Sequence, residues 1–282
     1  VLAIIDKKSL SSLVMMSYGF IAALTYIFVS ISLVGAPIIV MPLFVGVSLC
    51  CTLPFSNYEN VLKEFHKDHI IRPILFSIGQ ILVVGSLSSK SAFATFVSTA
   101  AGTIVAVALG KVFLREKISF KSYIGVGFVL VGIFFLKKSS HLPMLALLAG
   151  VIQGSGVFFA RRRSLAGARS IDMASASLVL LFVLSLPIAF IAGKFFIHHS
   201  TINAIPIIGA GLGFAFLQTS YCFLSFKLEA WMLSLVGNTR IPASVIISAL
   251  MATEAFSWMR MLLGLVVLTG VYFAYAGMSR QK

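Results

Sequence analysis

The chain has 282 residues, of which 59% are hydrophobic and 11% charged, and its mean hydropathy is +1.05. A soluble domain carries about a quarter charged residues, so a water-solvated globule is excluded and lipid must cover most of the surface. The formal net charge of +14 would suggest a nucleic-acid partner in a soluble protein, but here the basic residues sit in short breaks between apolar runs, the pattern of membrane orientation, and no separate basic domain exists.

A helix needs about 20 apolar residues to cross about 30 Å of hydrocarbon. Lys7 and Lys8 precede the first long apolar run without an A-x-A cleavage site after it, so this run is expected to be a span and not a leader. In chain order the expected spans are 11–32, 36–54, 71–88, 91–113, 120–136, 142–160, 173–192, 204–226, 230–251 and 258–277. The first two are parted near Gly35-Ala36-Pro37, and Glu59–Arg72 is the longest polar loop, expected to hold a short interfacial helix with Glu59 and Lys63 as i,i+4 partners. Cys50, Cys51 and Cys222 fall in apolar stretches without C-x-x-C or metal spacing, and are read as small buried hydrophobes.

Positive charge tests the order of spans. With the N-terminus inside, sixteen basic residues lie on the cytoplasmic side, among them Arg72, Lys111, Arg115 and the run Arg161-Arg162-Arg163. Only Lys90, Lys137, Lys138, Lys194 and Arg260 lie outside. Such asymmetry implies N-in and C-in with an even number of spans. The arginine run is read as a topology anchor.

Sliding the chain against itself by 138 positions aligns 71–135 with 209–273 without a gap and pairs Phe76 with Phe214, Gln80 with Gln218, Glu116 with Glu254 and Gly132 with Gly270. The Gln and Glu pairs carry weight because the chain has four Gln and five Glu. Two halves, 1–138 and 139–282, would then hold five spans each. An odd number forces the second copy into the membrane upside down, an arrangement suited to alternating access.

Arg240 is the most informative residue, at the middle of the ninth span in Gly237-Asn238-Thr239-Arg240-Ile241-Pro242. An arginine at helix centre costs about 2.5–3.5 kcal/mol on insertion scales and faces a cavity or a partner. The nearest acids in sequence, Glu229 and Glu254, stand about 16 and 21 Å away along a helix axis. One reading is a guanidinium that grips a carboxylate or phosphate; the other is a helix clasp to glutamines and to the Asn238 carbonyl freed by Pro242. Gln80, Gln218 and Gln153 are mid-span amides that need either a substrate or a neighbouring helix, and Asn238 and Thr239 share the turn with Arg240. Tyr26, Tyr221 and Trp231 could line or gate a cavity, although Tyr221 and Trp231 also stand where aromatic belts form. Gly150/Gly154 and Gly209/Gly213 are small-x-x-x-small pairs suited to close helix packing. Glu116 and Glu254 are expected to cap the helices that follow them.

The stretch Leu114-Arg115-Glu116-Lys117-Ile118-Ser119, followed by Gly125-x-Gly127 and Val131-Gly132, resembles the drug/metabolite transporter superfamily, in particular its bacterial EamA-type members. Ala252-Thr253-Glu254-Ala255-Phe256-Ser257 and Tyr221-Cys222-Phe223-Leu224-Ser225-Phe226 continue the likeness in the second half. The resemblance implies an all-α integral membrane protein of ten transmembrane helices in two inverted five-helix repeats, both termini cytoplasmic, in the inner membrane. It implies a central cavity lined by the first four spans of each half, with the fifth and tenth peripheral. Its members move small solutes of several classes.

No mid-span Asp, Glu or His is available for a proton relay, and no Walker loop, G-x-S-x-G or H-E-x-x-H occurs. The first span offers only Thr25 and Tyr26 where a cation exporter of similar fold uses a glutamate. The expected function is secondary transport of a small polar metabolite with an anionic group, such as an amino acid carboxylate. A nucleotide derivative or phosphorylated metabolite is the alternative cargo. A non-transporting subunit and a membrane-embedded enzyme are the readings from other classes, and for the latter only His198-His199 approaches a catalytic cluster. No catalytic residue, metal or cofactor is expected, the partners are the solute and the bilayer, and the oligomeric state is left open.

Overall fold

The computed structural model of the chain describes residues 7–32, 37–67, 69–87, 92–137, 144–196, 203–251, 253 and 255–278. Glu254, His198, His199, Lys90, Lys138 and the Gly35-Ala36 break lie outside them. Among the described residues all regular structure is helical. Helix α1 (Lys7–Ser32) is followed by α2 (Met41–Thr52), which is flanked by 3-10 turns at Pro37–Val40 and Leu53–Phe55. A short α3 (Tyr58–Lys63) precedes α4 (Ile71–Leu87). Next come α5 (Ala92–Thr99) and α6 (Gly102–Phe113), two pieces of one broken helix, and α7 (Phe120–Lys137). The second half runs through α8 (Met144–Leu165), α9 (Ser170–Phe196), α10 (Ala204–Lys227), the broken pair α11 (Ala230–Gly237) and α12 (Arg240–Leu250), and α13 (Trp258–Met278).

Six of these stretches are long and apolar enough to cross a bilayer: Pro37–Phe55, Ala94–Phe113, Met144–Leu165, Ser170–Gly193, Ala204–Lys227 and Ala230–Leu250. Shorter apolar helices run over Ser17–Ser32, Ile71–Leu87 and Trp258–Phe273. The outer surface is apolar as lipid solvation requires: Leu145, Leu148 and Val151 on α8 and Val183, Leu186 and Phe190 on α9 are all exposed. The fold is that of an all-α membrane protein.

Local chemistry sets several boundaries. Asn57 caps α3 by accepting from the backbone N–H of Glu59 and of Asn60 at 3.0 and 3.3 Å, and Asn203 caps α10 through Ile205 at 3.2 Å. Lys63 donates to Asn60 at 3.5 Å in place of the expected pairing with Glu59. The two breaks are tight turns of i→i−3 bonds: Ala101 N–H to Ser98 at 3.3 Å in the first, Thr239 N–H to Val236 at 3.2 Å in the second. They fall at matching places, because α5 and α11, α6 and α12, and α7 and α13 each begin 138 residues apart, at Ala92 and Ala230, Gly102 and Arg240, and Phe120 and Trp258.

Packing follows the same exchange. Helix α1 lies on α10 as α4 lies on α8, α2 meets α10 as α4 meets α9, and α1 meets α12 as α8 meets α5 and α6. Helices α7 and α13 pack on each other, with Phe128 stacked on Phe273 at 6.2 Å. Glycine makes the tightest crossings possible. A Cβ on Gly150 would sit 2.7 Å from the Thr99 carbonyl, and one on Gly102 would run into the Gly150 carbonyl. On the other side Gly209 receives the Phe28 ring and Gly213 receives Thr25. Both small-x-x-x-small pairs therefore pack helices.

Candidate functional site

Where the helices diverge they leave a cavity of about 90 Å3. Its wall draws on both halves: Tyr18, Ala22 and Tyr26 of α1, Arg72, Phe76 and Gln80 of α4, Thr99 and Gly102 at the first break, Gln153 of α8, Phe214, Gln218 and Tyr221 of α10, and Ser234, Asn238 and Arg240 at the second break. Five pairs in this wall are 138 residues apart: Tyr18 and Gly156, Phe76 and Phe214, Gln80 and Gln218, Thr99 and Gly237, Gly102 and Arg240.

Arg240 begins α12, and one terminal nitrogen, Nη2, donates to Thr99 Oγ1 at 2.7 Å. The guanidinium carbon lies 5.1 Å from the centre of the Phe96 ring, a cation–π distance. Nε is buried and has no hydrogen-bond partner. No carboxylate pairs with Arg240 among the described residues; the ion pairs there involve Arg72, Arg161, Arg163 and Arg169. The Asn238 carbonyl expected to be free accepts instead from the Ile241 N–H at 3.0 Å, because the turn tightens and a nearer donor replaces the one Pro242 lacks.

The amides divide into engaged and open ones. Tyr26 donates its hydroxyl to Gln80 Oε1 at 2.6 Å. Asn238 Nδ2 donates to Thr103 Oγ1 at 2.9 Å, and Thr103 in turn meets Ser234 at 3.1 Å, so this set ties the two breaks together. In contrast, Gln153 Nε2 and Gln218 Nε2 are buried without partners. With Arg240 Nε, the cavity wall thus presents three unanswered N–H donors. Buried donors without acceptors are costly, and an acceptor oxygen brought to any of them would relieve that cost.

Thr239 and Trp231 are not in the cavity wall. The Thr239 hydroxyl donates back to the Val236 carbonyl at 2.7 Å and abuts Gly19, so it serves the crossing of α1 with the second break. Trp231 is 1% exposed, in the core, and its indole N–H goes to Glu229 Oε2. Thr25 likewise packs, donating to the Ile21 carbonyl at 2.7 Å. The polar cavity residues not singled out from sequence are Arg72, Tyr18, Thr99 and Ser234. For Arg72 a signal was present: it stands between Ile70-Ile71 and Pro73, inside an apolar run, and is 2% exposed. Thr99 and Ser234 carried none.

One face of the bundle gathers the charges. Glu64 pairs closely with Arg163 through Oε1 and stands 3.9 Å from Arg72 through Oε2. Arg161 donates to the Ser225 carbonyl at 2.8 Å and lies 3.9 Å from Glu116. Arg161 and Arg163, both half-buried, therefore also tie helices together, whereas Arg162 is exposed. Glu116 caps a helix, but not the next one in sequence: both its oxygens accept from the Ala230 N–H, at 2.8 and 3.0 Å, at the start of α11. The end of α6 lies beside the start of α11, which no local reading reveals. Burial pushes the Glu116 carboxyl above its ordinary range, the Ala230 N–H draws it back, the Glu229 charge raises it again and the Arg161 charge lowers it. Cys222 is buried and accepts from Arg72 at 3.1 Å, while Cys50 is exposed, so the cysteines are not uniformly buried hydrophobes.

No family model and no curated protein matches the chain. Among solved structures, a crystal structure described only as that of a protein superposes with a TM-score of 0.69 over 95% of this chain and 98% of its own, at 12% sequence identity. The likeness extends to the fold alone.

Proposed function

We propose that the chain is a secondary transporter of ten spans in two inverted halves, both termini cytoplasmic, in the inner membrane, and related to the EamA-type drug/metabolite transporters. Its cargo is a small polar metabolite with an anionic group, an amino acid carboxylate being the simplest fit. The observation that carries this is Arg240: a guanidinium at the centre of the bundle, on a cavity built from both halves, held by a threonine hydroxyl and an aromatic face, with a buried Nε left over. The open Gln153 and Gln218 donors add to it. Helix starts and packing that repeat at 138 residues support the inverted halves and thus alternating access. A cavity of about 90 Å3, below the roughly 300 Å3 of sites for drug-sized ligands, favours an amino-acid-sized cargo over a nucleotide derivative.

The test is reconstitution. Purified protein in liposomes is expected to move labelled amino acids or small organic acids, selected first by thermal shift because a ligand stabilises by mass action. Uptake is expected to be indifferent to an imposed pH gradient. Strict dependence on that gradient overturns the uncoupled mechanism, and failure to move any solute that binds returns the chain to the non-transporting reading.

A further inference from the structure

Arg72 opens α4 at the charged face, yet it belongs to the same cavity wall as Arg240. Its side chain is 3% exposed, and its hydrogen bonds go to neutral acceptors, a backbone carbonyl and a thiol. Nη1 and Nη2 share the Met173 carbonyl at 2.9 and 2.8 Å, and Nη2 also reaches Cys222 Sγ at 3.1 Å. The carboxylate beside it, Glu64, stands 3.9 Å away because its other oxygen is held by Arg163. Glu64 Oε2, the oxygen turned to Arg72, accepts no hydrogen bond. A buried guanidinium hydrogen-bonded only to a carbonyl and a thiol, with its ion-pair partner Glu64 at 3.9 Å, is incompletely compensated. A carboxylate would answer it with two parallel charge-assisted bonds.

Its position along α4 separates it from the Arg240 end. Arg72 and Gln80 are eight residues apart, about 12 Å along a helix. Every partner of Arg72 named above except Glu64 lies in the second half, on α9 or α10, and Glu64 is itself bridged to Arg163 of α8.

We infer that Arg72 is a second anion-binding group of this cavity: an organic monocarboxylate entering from the face of Arg161 and Arg163 pairs with Arg72 in place of the Met173 carbonyl and the Cys222 thiol before it reaches Arg240. This rests on the cavity being a transport route. The bonds given up cross between the halves, so occupancy at Arg72 loosens the seam that closes this face.

Cys222 is a built-in reporter, fully buried beneath the Arg72 guanidinium. In full-length protein carrying Cys50→Ser and Cys51→Ser, the rate of Cys222 modification by methyl methanethiosulfonate is measured in benzoate against chloride of equal ionic strength. Benzoate is expected to speed the reaction several-fold; no change, or slowing, overturns the inference. Arg72→Gln is expected to abolish the response and Arg240→Gln to keep it. If Arg72→Gln still responds and Arg240→Gln does not, this inference falls while the carrier reading stands, since transport is scored separately in liposomes. Should Arg72→Gln fail to fold, Glu64→Gln decides: removing the competing carboxylate is expected to lower the half-maximal benzoate concentration several-fold, and an unchanged or higher value overturns the inference.

Discussion

Arg240 can hold a charge at the centre of the bundle because Thr99 and the Phe96 ring face it and hydrocarbon does not. A hydrogen bond to a charged group is worth about 1.5–3 kcal/mol, so Arg240→Ala is expected to weaken carboxylate uptake by about 10- to 100-fold, with Arg240→Lys recovering part by charge without the bidentate grip. Uptake in liposomes at matched protein incorporation measures both; full activity of the alanine variant would assign Arg240 to helix packing. Glu116 makes a different statement. Its carboxyl in the folded chain titrates above the ordinary 4.5, so between the two values the folded protein holds the extra proton. Its contribution to stability is therefore greatest below pH 4.5 and declines as pH rises through the raised value. Glu116→Gln, whose amide oxygen still accepts from Ala230, is expected to flatten that decline when thermal unfolding is followed from acid to neutral pH. A decline as steep as in the parent protein would place its source elsewhere.

At the scale of helices, the breaks between α5 and α6 and between α11 and α12 bring polar side chains to mid-bundle on turns that keep part of the backbone hydrogen bonding. The turns at Ala101 and Thr239 close their own hydrogen bonds, as an apolar environment requires. Glycine then brings α8 against the first break. A Cβ at position 154 would run into the Gly102 carbonyl, which is backbone and cannot rotate away. Gly154→Ala is expected to cost about 1–3 kcal/mol by overpacking, read as a lower unfolding temperature in detergent. Gly127, with nothing within 4 Å of a Cβ, is the control: Gly127→Ala is expected to leave that temperature unchanged or raise it, as alanine favours the helix. Equal losses at both positions would contradict the crossing geometry.

Over the whole molecule, the interhelical pairs named above map onto one another when the halves are exchanged. The charged network of Glu64, Arg72, Glu116, Arg161 and Arg163 collects at one end, while Ser32 ends α1 and Asn203 caps α10, and a backbone hydrogen bond of 3.3 Å joins them. The proposed orientation puts position 117 in the cytoplasm and position 203 outside. In a cysteine-free background, Asn203→Cys is expected to react with a membrane-impermeant maleimide in intact cells, and Lys117→Cys only after permeabilisation. The reverse pattern would invert the assigned orientation, and labelling of both would remove the proposed topology.

Composition and hydropathy alone determined that the chain is a helical membrane protein, because a backbone in lipid must satisfy its own hydrogen bonds and a long apolar run can do so as a helix. The 138-residue spacing and the oddity of Arg240 were also legible, since scarce polar residues in an apolar chain stand out without coordinates. Which amides share the cavity, that Thr239 and Trp231 turn away from it, that Arg72 joins it and that Glu116 caps a helix of the other half were decided by tertiary structure. Each depends on how helices distant in sequence cross and rotate against one another, and that is set by glycine contacts and ion pairs between residues as far apart as Arg72 and Cys222, which no local pattern records.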